Sequence, residues 1–251
     1  MAGVVAPFRE RMTVALVRKE NAGPATARNA GAAKAKGMFL AFTDDDCLPD
    51  SSWLSAFAKR FADAPHDMIG GRTVNALLDN HFSTASQELI SYLYDYYARA
   101  YGQPRLFTSN NLAIPAGRFR EIGGFDAGFA LAAGEDRELC DRWLHRGLKM
   151  TYAADAVVRH THALNFRSFW RQHFNYGRAA LRFHQLRAAR SSEQMKMEPL
   201  AFYFDMLRYP FSRLPSRQAL VVAPLIGISQ LANAAGFFWK KGNPAKRFTD
   251  L

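Results

Sequence analysis

The chain has 251 residues, 49% of them hydrophobic, and its 33 Lys and Arg against 22 Asp and Glu leave a formal net charge of +11. That size builds one large α/β domain with a sizeable core and leaves no room for two full domains with linkers. The two cysteines, Cys47 and Cys140, have no paired spacing, which excludes a disulfide scaffold and a cysteine-built zinc site and points to a reducing compartment.

Taken in chain order, Met1 to Thr13 lacks an apolar core, so no signal peptide is expected there. Thr13 to Val17 is the one early segment that reads as a strand. Pro24 to Lys36 is alanine-rich and predicts a helix, with Pro24 placed like a first helical residue and Gly37 like a C-terminal cap. Met38 to Thr43 predicts a buried strand. Asp50 or Ser51 is then expected to cap a second helix whose Trp53, Leu54, Phe57 and Phe61 fall on one face. Met68 to Val74 reads as a strand weakened by Gly70-Gly71, and Leu89 to Tyr101 as a tyrosine-rich helix whose rings pack rather than recognise. Phe107 to Ile114 is strand-like, Gly123 to Asp126 is a turn, Gly134-Glu135-Asp136 opens a helix that Gly147 closes, and Tyr152 to His160 is a strand. Helix and strand alternate without internal repeats, so the expected fold is α/β, a twisted and mainly parallel sheet flanked by helices.

The tail changes character. From Arg159 to Ser192 there are seven arginines and no Asp or Glu. Aromatics such as Phe169, Trp170 and Tyr176 interleave with them, so the stretch suits an anionic partner: phosphate, nucleic acid or a membrane surface. Nucleic acid is the weakest of these, because no recognition motif accompanies the charge. Ala219 to Trp239 is a 21-residue apolar run, long enough to span a bilayer, yet it holds Ser229, Gln230 and Asn233. Arg213 and Arg217 precede it and Lys240 and Lys241 follow, so charge gives no orientation. The alternatives are a span, an interfacial segment and a buried core helix.

The most informative feature is Asp44-Asp45-Asp46, directly behind the strand Met38 to Thr43. Three consecutive acids repel, and a fold holds them together where a cation or many donors compensate. An apolar strand ending in carboxylates delivers them to the crevice at the carboxyl end of an open sheet. Hard oxygen ligands of this kind suit Mg²⁺ or Mn²⁺; the bland alternative is a solvated acidic turn. Three further signals share the chain with the triplet in a fixed order: Asn21 to Gly31 (NAGPATARNAG) before it, then Gly123-Gly124-Phe125-Asp126 with Gly134-Glu135-Asp136, then His160-Thr161-His162.

In this order the four signals resemble the family 2 glycosyltransferases, inverting sugar transferases of the GT-A fold, over about Asn21 to His162. NAGPATARNAG is similar to that family's element beside the nucleotide, AFTDDD to its strand and D-x-D motif, SNNLAIP, IGGFD and GEDREL to its acceptor-side strand, turn and catalytic helix, and VVRHTH to its late strand with a metal-associated histidine. The resemblance implies a GT-A-like domain over residues 1–165 and a helical, membrane-associating region over 166–251. It also implies transfer of a sugar from a nucleotide-diphosphate donor to a hydroxyl of a lipid-linked or cell-envelope glycan acceptor, with inversion and with Mg²⁺ or Mn²⁺, at the cytoplasmic face of the cell membrane.

Residue by residue, Asp46 is the implied metal ligand, with His160 supplying a nitrogen to metal or phosphate and His162 second to it. Asp44 or Asp45 faces the ribose or a metal-bound water. Arg28 and Asn29 lie on the nucleotide side, an ion pair between helix and sheet being the alternative for Arg28. Asp136 is the implied general base, with Glu135 orienting it or the sugar. Asn110 and Asn111 belong to the acceptor side, as does Arg178 in Arg171 to Arg178 (RQHFNYGR), which is similar to a basic element of membrane-associated members. The Q-x-x-R-W element of processive synthases is absent, which disfavours long-polymer synthesis. The family's opening strand, helix and second strand are unmatched here: Met1-Ala2-Gly3-Val4-Val5 is similar to the helix just after them. The competing expectation is therefore a catalytically inactive, truncated binding or membrane module.

Overall fold

A computed structural model describes residues 2–129, 133–191 and 198–244. After a short helix α1 (Ala2–Val5), residues 13–23 form neither helix nor ladder. The strand expected over Thr13 to Val17 is thus not found; none of its residues is buried, so the segment lacks a partner face. Helix α2 (Pro24–Lys34) begins where expected, with Pro24 in its first turn behind Gly23. It leads into β1 (Phe39–Phe42), whose Leu40 and Phe42 point into the core.

A three-residue strand β2 (Cys47–Pro49) follows the acidic triplet, where the sequence shows only Leu48-Pro49-Asp50. Helix α3 (Trp53–Asp63) buries Trp53, Phe57 and Phe61, but Leu54 is 62% exposed and does not share their face. No side chain caps it: the Asp50 backbone carbonyl accepts from Trp53 N, while the Asp50 carboxylate pairs with Arg159. Strand β3 (Met68–Asn75) runs through Gly70 and Gly71, and both glycines are required. A Cβ on Gly70 would overlap the Phe107 ring, and one on Gly71 would overlap the Ala156 carbonyl and the Asn111 amide. Helix α4 (His81–Tyr101) starts eight residues earlier than its apolar periodicity indicated, because the Asn80 side chain accepts from Ser83 N and caps it. Its Tyr92 hydroxyl donates to the Phe202 carbonyl at 2.6 Å, a packing role.

The sheet is completed by β4 (Leu112–Pro115) and β5 (Met150–His160), with α5 (Ala116–Ile122) and α6 (Glu135–His145) between them. Strand order is β1-β4-β3-β5-β2. The expected mainly parallel arrangement is corrected: among the described residues only β3–β5 is parallel, and β1–β4, β3–β4 and β2–β5 are antiparallel. The cause lies in the connections. Helix α4 carries the chain away from the end of β3 and residues 102–111 bring it back, so β4 enters opposite Gly70 and runs back against the first residues of β3. One core face of the sheet gathers Leu40, Phe42, Leu112, Ile114, Leu139 and Trp143 under α2, α5 and α6; the other packs α3 through Trp53, Phe57 and Phe61 onto Ile69, Ala113 and Val158.

The tail is helical, as expected: α7 (Phe166–Ser191), α8 (Leu200–Arg208) and α9 (Ser216–Gly242). Helices α7 and α9 cross at Gly177 and Gly236. A Cβ on Gly177 would strike the Asn233 carbonyl and one on Gly236 the Phe174 carbonyl, so backbone meets backbone. Tyr92, Phe169, Phe202, Met206, Val222 and Ile226 fasten these helices to α4.

Candidate active site

The acidic triplet leaves β1 and divides. Arg28, on α2, lies between two elements: its Nη2 meets Asp44 Oδ1 at 2.6 Å and its Nη1 meets Glu135 Oε1 at 2.9 Å. This is the helix–sheet ion pair of the two readings left open for Arg28, extended to a third element. The neighbouring Asn29 uses both ends of its amide on the Gly123 to Asp126 turn, donating to the Phe125 carbonyl at 2.8 Å and accepting from Phe125 N at 2.9 Å. Two adjacent residues of α2 thus fix the acidic triplet, the glycine turn and the start of α6 to one another. Asp45 is exposed.

Glu135 and Asp136 open α6, where the helix dipole favours negative charge. Glu135 is 3% exposed, and its Oε2 is buried without a hydrogen-bond partner among the described residues. Burial first, and the neighbouring Asp136 second, push the Glu135 carboxyl up to about 7 against the opposing pull of Arg28. Asp136 is raised in the same direction, mainly by burial, although Arg137 N donates to its Oδ1 at 2.7 Å. An orphaned buried carboxylate oxygen beside a second carboxyl of raised pKa is the kind of arrangement that ligand sites contain.

Asp46 faces the other way. Its Oδ2 lies 3.1 Å from His160 Nε2 and 3.2 Å from His162 Nδ1, and ligand atoms of all three residues lie within 4.8 Å of one another. The strand pairing of Cys47 with His160 brings them together, and Asp46 O holds Thr161 through N at 2.8 Å and Oγ1 at 2.6 Å. Burial raises the Asp46 carboxyl, but the two imidazoles outweigh it and the net shift is downward. His162, second by sequence, is thus as close to Asp46 as His160. Its Nε2 lies 2.8 Å from Gln172 Oε1, and Gln172 Nε2 donates to the Tyr176 hydroxyl at 3.1 Å. When Gln172 accepts from His162 Nε2–H, it leaves Nδ1 with a lone pair aimed at the cluster.

Gln172 and Tyr176 were not legible as site residues. They stand one helical turn apart on α7, inside the RQHFNYGR element, and that i, i+4 spacing is the signal the sequence held. The remaining candidates do not join the cluster as expected. Asn111 is 1% exposed and spends its amide inside the protein, accepting from Trp53 Nε1 at 2.8 Å and donating to the Ala156 carbonyl at 3.0 Å. Asn110 is buried too, accepting from Thr108 at 2.8 Å and Thr73 at 3.3 Å. Arg178 is buried against α9, its guanidinium 4.9 Å from the Trp239 ring centroid.

The sheet and the helices that flank it define a mixed α/β domain of GT-A type. The sequence pattern of the family described as glycosyl transferase family 2 matches residues 5–126, just under half of the chain. The chain is 30% identical over 165 residues to a pre-mycofactocin glycosyltransferase of Mycobacterium tuberculosis, covering 63% of this chain and 34% of that protein. It is 25% identical over 166 residues to the glycosyltransferase AglE of Haloferax volcanii, covering 66% and 53%. The chain therefore spans about a third to a half of the length of these relatives. Its fold matches the crystal structure of GalNAc-T7 with UDP, GalNAc and Mn²⁺ at a TM-score of 0.52 and 17% identity, over 97% of this chain and 47% of that one.

Proposed function

We propose that this chain transfers a sugar from a nucleotide-diphosphate donor to a hydroxyl of a glycan or lipid-linked acceptor, with inversion at the anomeric carbon and a divalent cation at the donor phosphates. The observation that carries this reading is the Arg28 bridge, which locks the acidic triplet to the helix bearing Asp136 although the three lie far apart in sequence.

Asp136 is the base. It takes the acceptor hydroxyl proton as that oxygen attacks the anomeric carbon from the face opposite the diphosphate. The bond between anomeric carbon and phosphate oxygen breaks, and its electrons leave with the nucleoside diphosphate. A carboxyl raised by burial is a better proton acceptor than one in water, and such assistance is typically worth ~10²–10⁴ in rate. Glu135, with one oxygen held by Arg28 and the other without a partner among the described residues, is placed to accept a hydrogen bond from a hydroxyl of the donor sugar. Asp44 and the exposed Asp45 lie on the ribose side.

Asp46, His160 and His162 fit a divalent cation: one carboxylate and two imidazoles in reach of each other, with Gln172 setting one tautomer. Two nitrogen ligands favour Mn²⁺ over Mg²⁺. Bound there, the cation supplies positive charge against the charge that grows on the leaving diphosphate.

Residues 166–251 form the membrane-associating part of the proposal. Ser216–Gly242 is, by length and composition, long and apolar enough to cross a bilayer. Leu220, Leu231 and Phe238 of this helix are exposed, and Arg217 and Lys241 flank them. These features support contact with the cytoplasmic membrane surface, where a lipid-linked acceptor would be met.

The test is to incubate the chain and Mn²⁺ with a panel of UDP- and GDP-sugars together with lipid-linked and soluble glycan acceptors, to measure released nucleoside diphosphate, and to read the anomeric configuration of any glycoside formed by NMR. Release that Asp46→Ala abolishes, with an inverted product, is expected. A folded chain that releases nothing from any donor would establish the inactive binding module instead.

A further inference from the structure

Between α4, α6 and α7 lies a groove of about 210 Å³ whose lining includes Tyr97, Tyr101, Arg105, Arg137 and His184. It begins at the first turn of α6, since Arg137 directly follows Asp136, and continues along the same helix to Asp141 and His145. Among the described residues, the carboxylates around it are already engaged. Asp141 is met by Arg190 at 2.7 Å and by Arg187 at 3.5 Å. Glu138, just behind, is met by Arg190 at 2.6 Å and by Arg142 at 2.7 Å. Glu198 accepts from the hydroxyls of Tyr96 at 3.3 Å and Tyr97 at 3.2 Å.

Two guanidiniums are left over. Arg105 stacks 3.9 Å from the centroid of Tyr101, and its Nε is buried with no hydrogen-bond partner among the described residues. Arg137 lies 4.4 Å from the centroid of Phe183. Neither has a carboxylate partner among the described residues, although both line a groove half closed to water. The positive field is felt by His184: burial, then Arg137 and Arg187, hold its imidazole down at about 4. A neutral His184 keeps one N–H to offer. Ring-stacked guanidiniums present their forked N–H edges to whatever enters, and an oxyanion is the group that matches them.

We propose that this groove is an oxyanion site that receives a phosphate or carboxylate group of the acceptor, so that the sugar is transferred to an anionic acceptor held alongside α6. The acceptor assignment rests on the transferase reading; the anion site does not. The volume admits such a group with the atoms that carry it. Tyr97 and Tyr101 add ring faces for the adjoining part of the molecule.

The experiment is calorimetric titration of the chain in metal-free buffer with inorganic phosphate and, separately, with glucuronate. Saturable binding of at least one is expected, weakened about tenfold or more by Arg105→Gln and by Arg137→Gln, unchanged by Asp46→Ala, and falling as salt is raised. The tighter probe identifies the acceptor group. Mn²⁺-dependent UDP binding by Arg105→Gln serves as the control for folding and for the donor side. No saturable binding of either probe, binding that both arginine variants leave intact, or binding lost in Asp46→Ala would overturn the site. Phosphate binding at the groove in a chain that binds no nucleotide would overturn the acceptor assignment alone.

Discussion

Asp44 and Asp46 stand two residues apart and sit in clusters built in opposite ways. Asp44 is tied at 2.6 Å to Arg28, whose other arm holds the buried Glu135. Asp46 faces two imidazoles in a cluster that solvent reaches. In the first, a permanent cation has been supplied by the chain, so the carboxylates are positioned before any ligand arrives. In the second, the partners are groups that carry no permanent charge, and under the proposed function a cation from solution completes the balance. One acidic triplet thus contributes to two different clusters, because the chain turns between its first and last member and pairs Cys47 with His160.

The sharpest way to break this contrast is to remove the proposed base. Asp136→Asn is expected to lower turnover by ~10²–10⁴ while leaving the stability of the fold nearly unchanged, read from steady-state transfer and urea unfolding. Removing the fixed cation comes next. Arg28→Met leaves Glu135 buried and unpaired, and should lower unfolding free energy by about 3 kcal/mol in urea titrations; Arg28→Lys should recover part of it. Equal stability in Arg28→Met would show that the bridge is ornamental. On the imidazole side, Gln172→Ala removes the group that orients His162, and Mn²⁺ affinity should fall by about 10–100-fold without loss of stability.

The smallest effect expected is a pH slope. Glu135 titrates near 7 in the folded chain against an ordinary 4.5, so between those values the folded state binds the additional proton. Stability from this group is therefore greatest below about 4.5 and declines as pH rises towards about 7. Glu135→Gln should flatten that decline in urea unfolding measured across the interval. A slope left unchanged in the variant would place the titration on another group.

The parts of the site that the sequence displayed are those encoded locally. Pro24 behind Gly23, the strand into Asp44-Asp45-Asp46, and Gly134 before Glu135-Asp136 are contiguous patterns, and each forms where its residues indicated. Sheet polarity was not legible, because the direction of β4 depends on the path of residues 102–111 and not on the strand's own composition. Strand β2 was hidden for a similar reason: three residues around Pro49 look like a turn until β5 is beside them. Asn111 shows the converse error. Its place in a family-like motif drew it to the acceptor side, while Trp53 and Ala156, distant in sequence, hold it in the core. Gln172 reaches the site only because α7 packs across α4, where its amide also lies 3.5 Å from Ser86.

The most direct test of the division between the clusters is one calorimetric series: UDP with Mn²⁺ titrated into the wild-type chain, Asp46→Ala and Asp136→Asn. The account predicts metal-dependent binding by the wild type, its loss in Asp46→Ala, and its retention in Asp136→Asn. Binding that survives in Asp46→Ala, or that disappears in a folded Asp136→Asn, would contradict it.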